Sequence, residues 1–208
     1  VPTVRGPAPT RREDEDGGES MVGIDYRCGS CGSEHRGTDG REGSPWPALS
    51  FRRPDAYVAL SRHLRRHHAA ATNDLCWIAT GQGVRCFLRG CLSVPILGES
   101  ITLEYGLWVE VSEEVFLDYQ LHYEDPEGLG TYVGAPANAI PGYEDTAALP
   151  LQILCQPFPH RPQLRPDSLH RHPLSRDVHR GISRAEAELR IRAFLLGRDG
   201  TTMPGLEG

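Results

Sequence analysis

The chain has 208 residues, a net charge of −6 and 38% apolar residues, values that indicate a soluble globular protein rather than a fibrous or wholly disordered one. Its apolar stretches are far shorter than the roughly 20 residues of a membrane span, and its first twenty residues are charged instead of signal-like, so we expect a cytoplasmic protein with no membrane partner. All 22 basic residues are arginine, which excludes enzymes that need a catalytic or phosphate-binding lysine.

Charge is unevenly distributed along the chain. Residues 90–160 contain eleven acidic residues and no arginine, whereas residues 161–208 contain nine arginines and six acidic residues. This asymmetry predicts that the C-terminal helices lie beside the acidic middle segment; an acidic face for a cationic partner is the alternative. The overall acidity argues against a nucleic-acid partner. The expected partner is a protein or a small molecule.

The N-terminal part contains the densest group of chemically active residues. Residues 1–20 lack apolar periodicity and predict a disordered tail, which is followed by the cluster Cys28-Gly29-Ser30-Cys31-Gly32-Ser33-Glu34-His35. Two cysteines at this spacing in a glycine-rich turn form a knuckle that directs both sulfur atoms at one ion, and His35 offers a nitrogen ligand. We favour structural zinc over a redox dithiol, because the flanking residues do not start a helix that would lower a thiol pKa. Free thiols are the third alternative.

The middle of the chain predicts one helix, then a sheet, then a second helix. Tyr57, Leu60 and Leu64 recur at helical spacing and predict a helix from residue 54 to about 70. The second helix follows Ser112, an N-cap residue, and runs to about residue 122. Trp108 is expected in the core. The predicted strands are 75–79 and 84–92 joined as a hairpin, 93–97 at an edge, 101–111, 130–134 and 148–156.

Two further helices are predicted near the C-terminus. The first covers residues 174–180; the second runs from Ser183 to Leu196, with Ser183 and Glu186 as a capping box and Gly197 as its end. Residues 199–208 are predicted to be a flexible tail. We therefore predict a single α+β domain over residues 21–198, with an antiparallel-rich sheet of about five strands, a zinc-knuckle-like N-terminal turn and C-terminal helices packed on the sheet.

Several short motifs occur in a specific order. They are Cys28-x2-Cys31-Gly32-x2-His35, Asp74-Leu75-Cys76, Arg89-Gly90-Cys91-Leu92, the run from Gly106 to Phe116, Pro141-Gly142-Tyr143, Arg161-Pro162, His172-Pro173-Leu174 and Gly181-Ile182-Ser183. Over roughly residues 26–192 this succession resembles the uncharacterised bacterial family catalogued as domain of unknown function 2199. The resemblance implies no activity, because the family has none that is established.

The resemblance does imply a set of metal ligands. The candidate ligands at its motif positions are Cys28, Cys31, His35, Cys76 and Cys91. Structural zinc takes four ligands, so two of the last three would complete the pair in the knuckle. Cys86 lies five residues before Cys91, and on a regular strand the two face opposite ways unless Gly90 marks a bulge.

These features predict a zinc-stapled binding or accessory module with no assignable reaction. The alternative is a metal- or thiol-dependent enzyme, in which the metal keeps an open position or Cys91 or Cys76 is an activated nucleophile. Such an enzyme would join these groups to carboxylates such as Glu110 or Glu113. The remaining candidates have metal-binding spacing but are interpreted as surface residues; they are His63 with His67 and His170 with His172.

Overall fold

Strands form the centre of the molecule. A computed structural model describes residues 23–27, 33–124, 130–156 and 158–198, so the two predicted tails, Cys28 and Cys31 lie outside the described residues. The strands are β1 Ile24–Arg27, β2 Glu34–Thr38, β3 Leu49–Ser50, β4 Ala69–Ala71, β5 Leu75–Thr80, β6 Gly83–Pro95, β7 Thr102–Val111, β8 Thr131–Pro136, β9 Leu151–Leu154 and β10 Gln163–Pro166. The α-helices are α1 Asp55–Ala59, α2 Arg62–His68, α3 Glu113–Leu121, α4 Pro173–Arg180 and α5 Arg184–Arg198.

Five of the strands close into a barrel in the order β6-β7-β8-β9-β10 and back to β6. Neighbours are antiparallel except β10 and β6, which pair in parallel where Gln163 meets Cys91. A meander of five strands needs one parallel pair to close, because strand directions alternate along it. The sheet extends from β6 through β5 to β4 and from β7 to β3, while β1 and β2 form a separate hairpin. The α+β prediction is confirmed, but the sheet is larger than predicted and closes as a barrel instead of forming a simple antiparallel sheet.

The two faces of β6 belong to different environments. Leu88, Leu92 and Val94 point into the barrel and join its buried core, whereas Arg89 and Cys91 alternate with them and lie on the outer face. Gly90 allows β10 to close on β6, since a Cβ atom there would lie 2.7 Å from Cγ of Leu164. A second buried cluster covers part of the outer face; it contains Cys76, Ile78, Phe87 and Trp108.

Local capping signals in the sequence are borne out. The Ser112 hydroxyl accepts the backbone N–H of Val115 at the start of α3, and the Ser183 hydroxyl accepts that of Glu186 at the start of α5. Trp108 is completely buried, as predicted. Helix α5 continues through Gly197, so this glycine does not end it.

Two predicted elements differ from the structure. The helix predicted over residues 54–70 is two short helices, because Ser61 begins α2 with its own cap and its hydroxyl accepts the N–H of Leu64 at 3.2 Å. The segment predicted as an edge strand, 93–97, largely continues β6, with Pro95 as the last residue of that strand and Val94 paired with Leu103. Among the described residues, no helix combines the length and apolar character that a bilayer span requires.

The C-terminal helix lies beside the acidic middle segment, as the charge asymmetry predicts. The guanidinium of Arg184, at the start of α5, forms a two-pronged ion pair with Glu99, with 2.7 Å between Nε and Oε1. Arg184 also donates to the backbone oxygen of Asp39 at 2.7 Å. These contacts fix the first turn of α5 against the loop between β6 and β7.

Candidate anion-binding site

A cleft of about 890 Å³ is lined by residues of β1, the segment 46–53, β6 and α5, together with Asn73 and Arg161. Five arginines and no acidic residue of the described ranges line it, although the chain as a whole carries a net charge of −6. Like charges held together repel, so such a concentration of guanidinium groups attracts anions. The five are Arg27, Arg52, Arg53, Arg89 and Arg161. We call this region the arginine cleft.

Arg89 lies at the base of the arginine cleft on the outer face of the barrel. It pairs across the sheet with Trp108, and its guanidinium carbon is 5.9 Å from the centroid of that indole. One terminal nitrogen, Nη1, donates to the backbone oxygen of Asn73 at 3.3 Å. Its Nε atom is buried and has no hydrogen-bond partner in the described part of the chain. Burial lowers the pKa of Arg89, and the charge of Arg161 acts in the same direction.

Arg161 is held beside Arg89 by hydrogen bonds to two neighbouring elements. Its Nε donates to Oδ1 of Asp74 at 2.5 Å, and the backbone N–H of Arg89 donates to the carbonyl oxygen of the same Asp74 at 2.9 Å. The next residue, Pro162, accepts the backbone N–H of Cys91 at 2.9 Å. Asp74 therefore fixes the relative position of the two arginines.

Arg52 and Arg53 belong to a segment whose backbone is attached to β7 by hydrogen bonds from buried side chains. The indole N–H of Trp108 donates to the backbone oxygen of Phe51 at 3.1 Å. Asn138 is 3% exposed; its amide oxygen accepts the backbone N–H of Trp108 at 3.0 Å, and its amide nitrogen donates to the backbone oxygen of Arg53 at 2.9 Å. Because the backbone is fixed in this way, both arginines are presented on one side of the arginine cleft.

Aromatic side chains form another wall of the arginine cleft. Tyr26 stacks on His35 with 4.7 Å between ring centroids, and Phe194 of α5 makes an edge contact with Phe51 at 5.3 Å. The guanidinium carbon of Arg184 lies 5.1 Å from the ring centroid of Trp46. The indole N–H of Trp46 is buried and finds no hydrogen-bond partner among the residues described.

Three of the five predicted metal ligands lie within the described residues, and the structure separates two of them. Cys76 pairs with Phe87, four residues before Cys91 on the same strand face, which places the two cysteines about 13 Å apart along the sheet. Ligands of one zinc ion lie about 4 Å from each other, so both cannot bind the same ion. His35 lies on β2, against Tyr26. Within residues 23–27, 33–124, 130–156 and 158–198, no three His, Cys, Asp or Glu side chains are grouped as metal ligands.

The register of β6 shows which way its cysteines face. Pairing with β7 is regular from Cys86 to Pro95, so Gly90 marks no bulge. Cys86 is buried in the barrel core and Cys91 lies on the opposite face, as expected for residues five apart on a regular strand.

Burial keeps the described thiols protonated. It raises the pKa of Cys76 to about 12 and that of Cys155 to about 11, and it also raises the pKa of Cys86 and Cys91. The thiolate is the nucleophilic form, so none of the four is activated in this environment. Of the two carboxylates considered for an enzyme, Glu110 is held by Arg85 through two contacts of 2.7 Å.

The two histidine pairs lie at the surface. His172 begins α4: its Nδ1 accepts the backbone N–H of Leu174 at 3.0 Å, while its Nε2 lies 2.7 Å from the backbone oxygen of Glu144. His63 and His67 are exposed on α2, with ring centroids 4.7 Å apart.

Sequence reasoning singled out the cysteines of the motifs and missed the arginines beside them. Arg89 precedes Gly90-Cys91, and Arg161 begins the Arg161-Pro162 motif. Their positions within motifs were the one sequence signal that could have marked these arginines as functional. Their proximity could not be predicted, because they lie far apart in the chain and the closed barrel brings them together.

Comparison with known proteins gives one match. A family model for domain of unknown function 2199, described as an uncharacterized protein conserved in bacteria, matches residues 27–182, about three quarters of the chain. No curated protein and no solved structure matches. The matched region contains Asp74, Arg89 and Arg161, which meet at the arginine cleft.

Proposed function

The chain belongs to the bacterial family of domain of unknown function 2199, and we propose that it is a binding module for a small phosphate-bearing anion, held in the arginine cleft. The observation that carries the proposal is the buried Nε of Arg89, which has no partner among the described residues. An unsatisfied buried donor costs about 1–3 kcal/mol, and more when the group is charged. Arg89 lines the arginine cleft, and an anion oxygen there would satisfy this donor once the side chain turns its Nε toward the ligand.

Phosphate suits this site better than a single carboxylate. Five arginines line the cleft, whereas the nearby carboxylate of Asp74 already binds Arg161. One carboxylate carries one negative charge and two acceptor oxygens. A phosphate group carries more negative charge and more acceptor oxygens, and its geometry matches the planar guanidinium fork. A ligand with one or more phosphate groups therefore neutralises several arginines at once.

The shape of the arginine cleft favours a small molecule. Its volume of about 890 Å³ falls in the range of small-ligand sites, roughly 300–1,000 Å³. A nucleic acid is too long to fit within the cleft, and the rest of the protein, which has a net charge of −6, would repel the part of its backbone that extends beyond the cleft.

Titration calorimetry with inorganic pyrophosphate tests the proposal. We expect saturable binding of one pyrophosphate per chain, weakening as sodium chloride screens the arginines. At a ligand concentration of 100 Kd the native state gains about 2.7 kcal/mol, which raises the Tm of a chain of this size by about 5–10 °C. Absence of both saturable heat and a Tm shift at low salt would contradict the proposal.

We also propose that Cys28 and Cys31 hold a structural zinc ion together with His35 and one of Cys76 and Cys91 as the fourth ligand. Support comes from the C-x2-C spacing and from the position of His35 on β2, the strand that follows the knuckle segment. Purified untagged protein is expected to contain about one zinc per chain, lost in Cys28→Ser and retained in Cys155→Ser. Elemental analysis measures it, and a metal-free protein that is stably folded overturns the zinc proposal.

A further inference from the structure

The arginine cleft has two chemically different ends, and we infer that its ligand is a nucleotide, with phosphate at the arginine end and the base against the aromatic wall. The inference rests on the proposed function and names its ligand class. It follows from the arrangement of the side chains that line the arginine cleft.

The arginine end is a connected group. Arg89 and Arg161 are both tied to Asp74, one through its backbone and the other through its carboxylate. Arg53 is held on the same side by Asn138. A phosphate group bound here would accept hydrogen bonds from guanidinium groups of three different segments of the chain, and it would also reduce the repulsion between them.

The aromatic end comes from separate elements. Tyr26 belongs to β1, Trp46 to the loop before β3, and Phe194 to α5. Flat side chains beside a basic site are the arrangement that proteins use to stack nucleobases, because every base has a π face. A phosphate ion alone would leave this wall without a role in binding.

Trp46 adds a hydrogen-bonding requirement to the aromatic wall. Its buried indole N–H lacks a partner within the described ranges, and its ring is covered by Arg184, which Glu99 holds in place. An indole fixed in this way donates in one direction only. Nucleobases carry nitrogen and oxygen acceptors on their edges, whereas a plain hydrocarbon ring does not.

The two unsatisfied donors would therefore bind different parts of the ligand. The Nε of Arg89 and the Nε1 of Trp46 are buried donors without a partner among the described residues, and both residues line the arginine cleft, one at each end. A molecule that carries phosphate and a heteroaromatic ring satisfies both. Nucleoside monophosphates are common molecules of this kind.

Calorimetry with matched ligands tests the inference. The four common nucleoside monophosphates are compared with ribose 5-phosphate, which lacks the base, and with adenosine, which lacks the phosphate. We expect at least one monophosphate to bind about 10-fold or more tightly than ribose 5-phosphate, in line with the contribution of one base stack. Adenosine is expected to bind more weakly than AMP, because it brings no anion to the arginine end.

Variants of Trp46 assign the effect to the aromatic wall. Trp46→Leu is expected to weaken the best monophosphate about 10-fold and to leave pyrophosphate affinity unchanged. Trp46→Phe keeps a ring and removes the N–H, so it should lose less affinity for the monophosphate than Trp46→Leu. Thermal unfolding shows whether the leucine variant folds, and Trp46→Phe replaces it in the test if it does not. The control is Trp77→Leu on β5, a partly exposed tryptophan that does not line the arginine cleft.

The outcomes separate the two proposals. If pyrophosphate binds but no monophosphate binds more tightly than ribose 5-phosphate, the nucleotide inference is wrong and the anion-binding function stands. If single-stranded RNA binds more tightly than every monophosphate, the inference is also wrong, since the ligand is then a polymer. If neither pyrophosphate nor any phosphate ester binds, both proposals fail.

Discussion

Replacing Arg89 with methionine is expected to weaken pyrophosphate binding about 10- to 100-fold, because a hydrogen bond to a charged group contributes about 1.5–3 kcal/mol. Methionine keeps an apolar stem of similar length and removes the guanidinium whose Nε lacks a partner among the described residues. Titration calorimetry measures the change. Arg66→Gln is the matched control: it also removes one positive charge, but from an exposed position on α2 that does not line the arginine cleft.

Arg89→Met should leave the unliganded protein as stable as before, or make it more stable. Burial and the neighbouring charge of Arg161 lower the pKa of Arg89, so the folded state disfavours its charged form. Functional sites often reduce stability in this manner. A loss of more than about 1 kcal/mol in urea unfolding, with unchanged pyrophosphate affinity, would show that Arg89 is a structural residue and not a ligand-binding one.

Replacing Asp177 with alanine is expected to lower the free energy of unfolding by about 3–5 kcal/mol, the usual cost of breaking a buried ion pair. Asp177 is 3% exposed and accepts hydrogen bonds from Nη2 of Arg190 at 3.1 Å and from the hydroxyl of Tyr143 at 3.0 Å. Arg190 is 8% exposed, and without Asp177 the ion-pair contact left to it among the described residues is Glu186 at 2.7 Å. Urea unfolding measures the loss.

Two further variants show whether the loss comes from an uncompensated buried charge. Arg176 also contacts Asp177, but its side chain is 62% exposed, so Arg176→Met should cost less than about 1 kcal/mol. Combining Asp177→Leu with Arg190→Met removes both charges and should recover most of the stability. A double variant less stable than Asp177→Ala would refute this explanation.

This ion pair also bears on the arginine cleft. Asp177 belongs to α4 and Arg190 to α5, so their contact joins the two helices. One turn further along α5, Phe194 forms part of the aromatic wall, and Leu195 lines the arginine cleft beside it. We therefore expect the helix pair to fix the position of that wall.

Features set by neighbouring residues could be predicted from the sequence. The caps at Ser112 and Ser183 depend on hydrogen bonds that span three residues, and the sequence shows both ends of each bond. The long strands β6 and β7 have clear alternation and were located to within a few residues. Trp108 was correctly placed in the core for the same reason.

Features set by distant contacts could not be predicted. Strand β10 has only four residues and ends in a proline, so nothing local indicates that it closes the barrel on β6. The arginine cleft depends on that closure, because Arg161 precedes β10 and reaches Arg89 through Asp74. The sequence also leaves the register of β5 and β6 open, and that register keeps Cys76 away from Cys91, so at most one of these two cysteines can join Cys28 and Cys31 on one ion.

The most direct measurement is a crystal structure of the protein grown with pyrophosphate. We predict that a phosphate oxygen lies about 2.7–2.9 Å from Nε of Arg89, the usual length of such a charged hydrogen bond, with Arg161 beside it. Pyrophosphate bound elsewhere, or an arginine cleft without it at concentrations that saturate binding in solution, would contradict the proposed function.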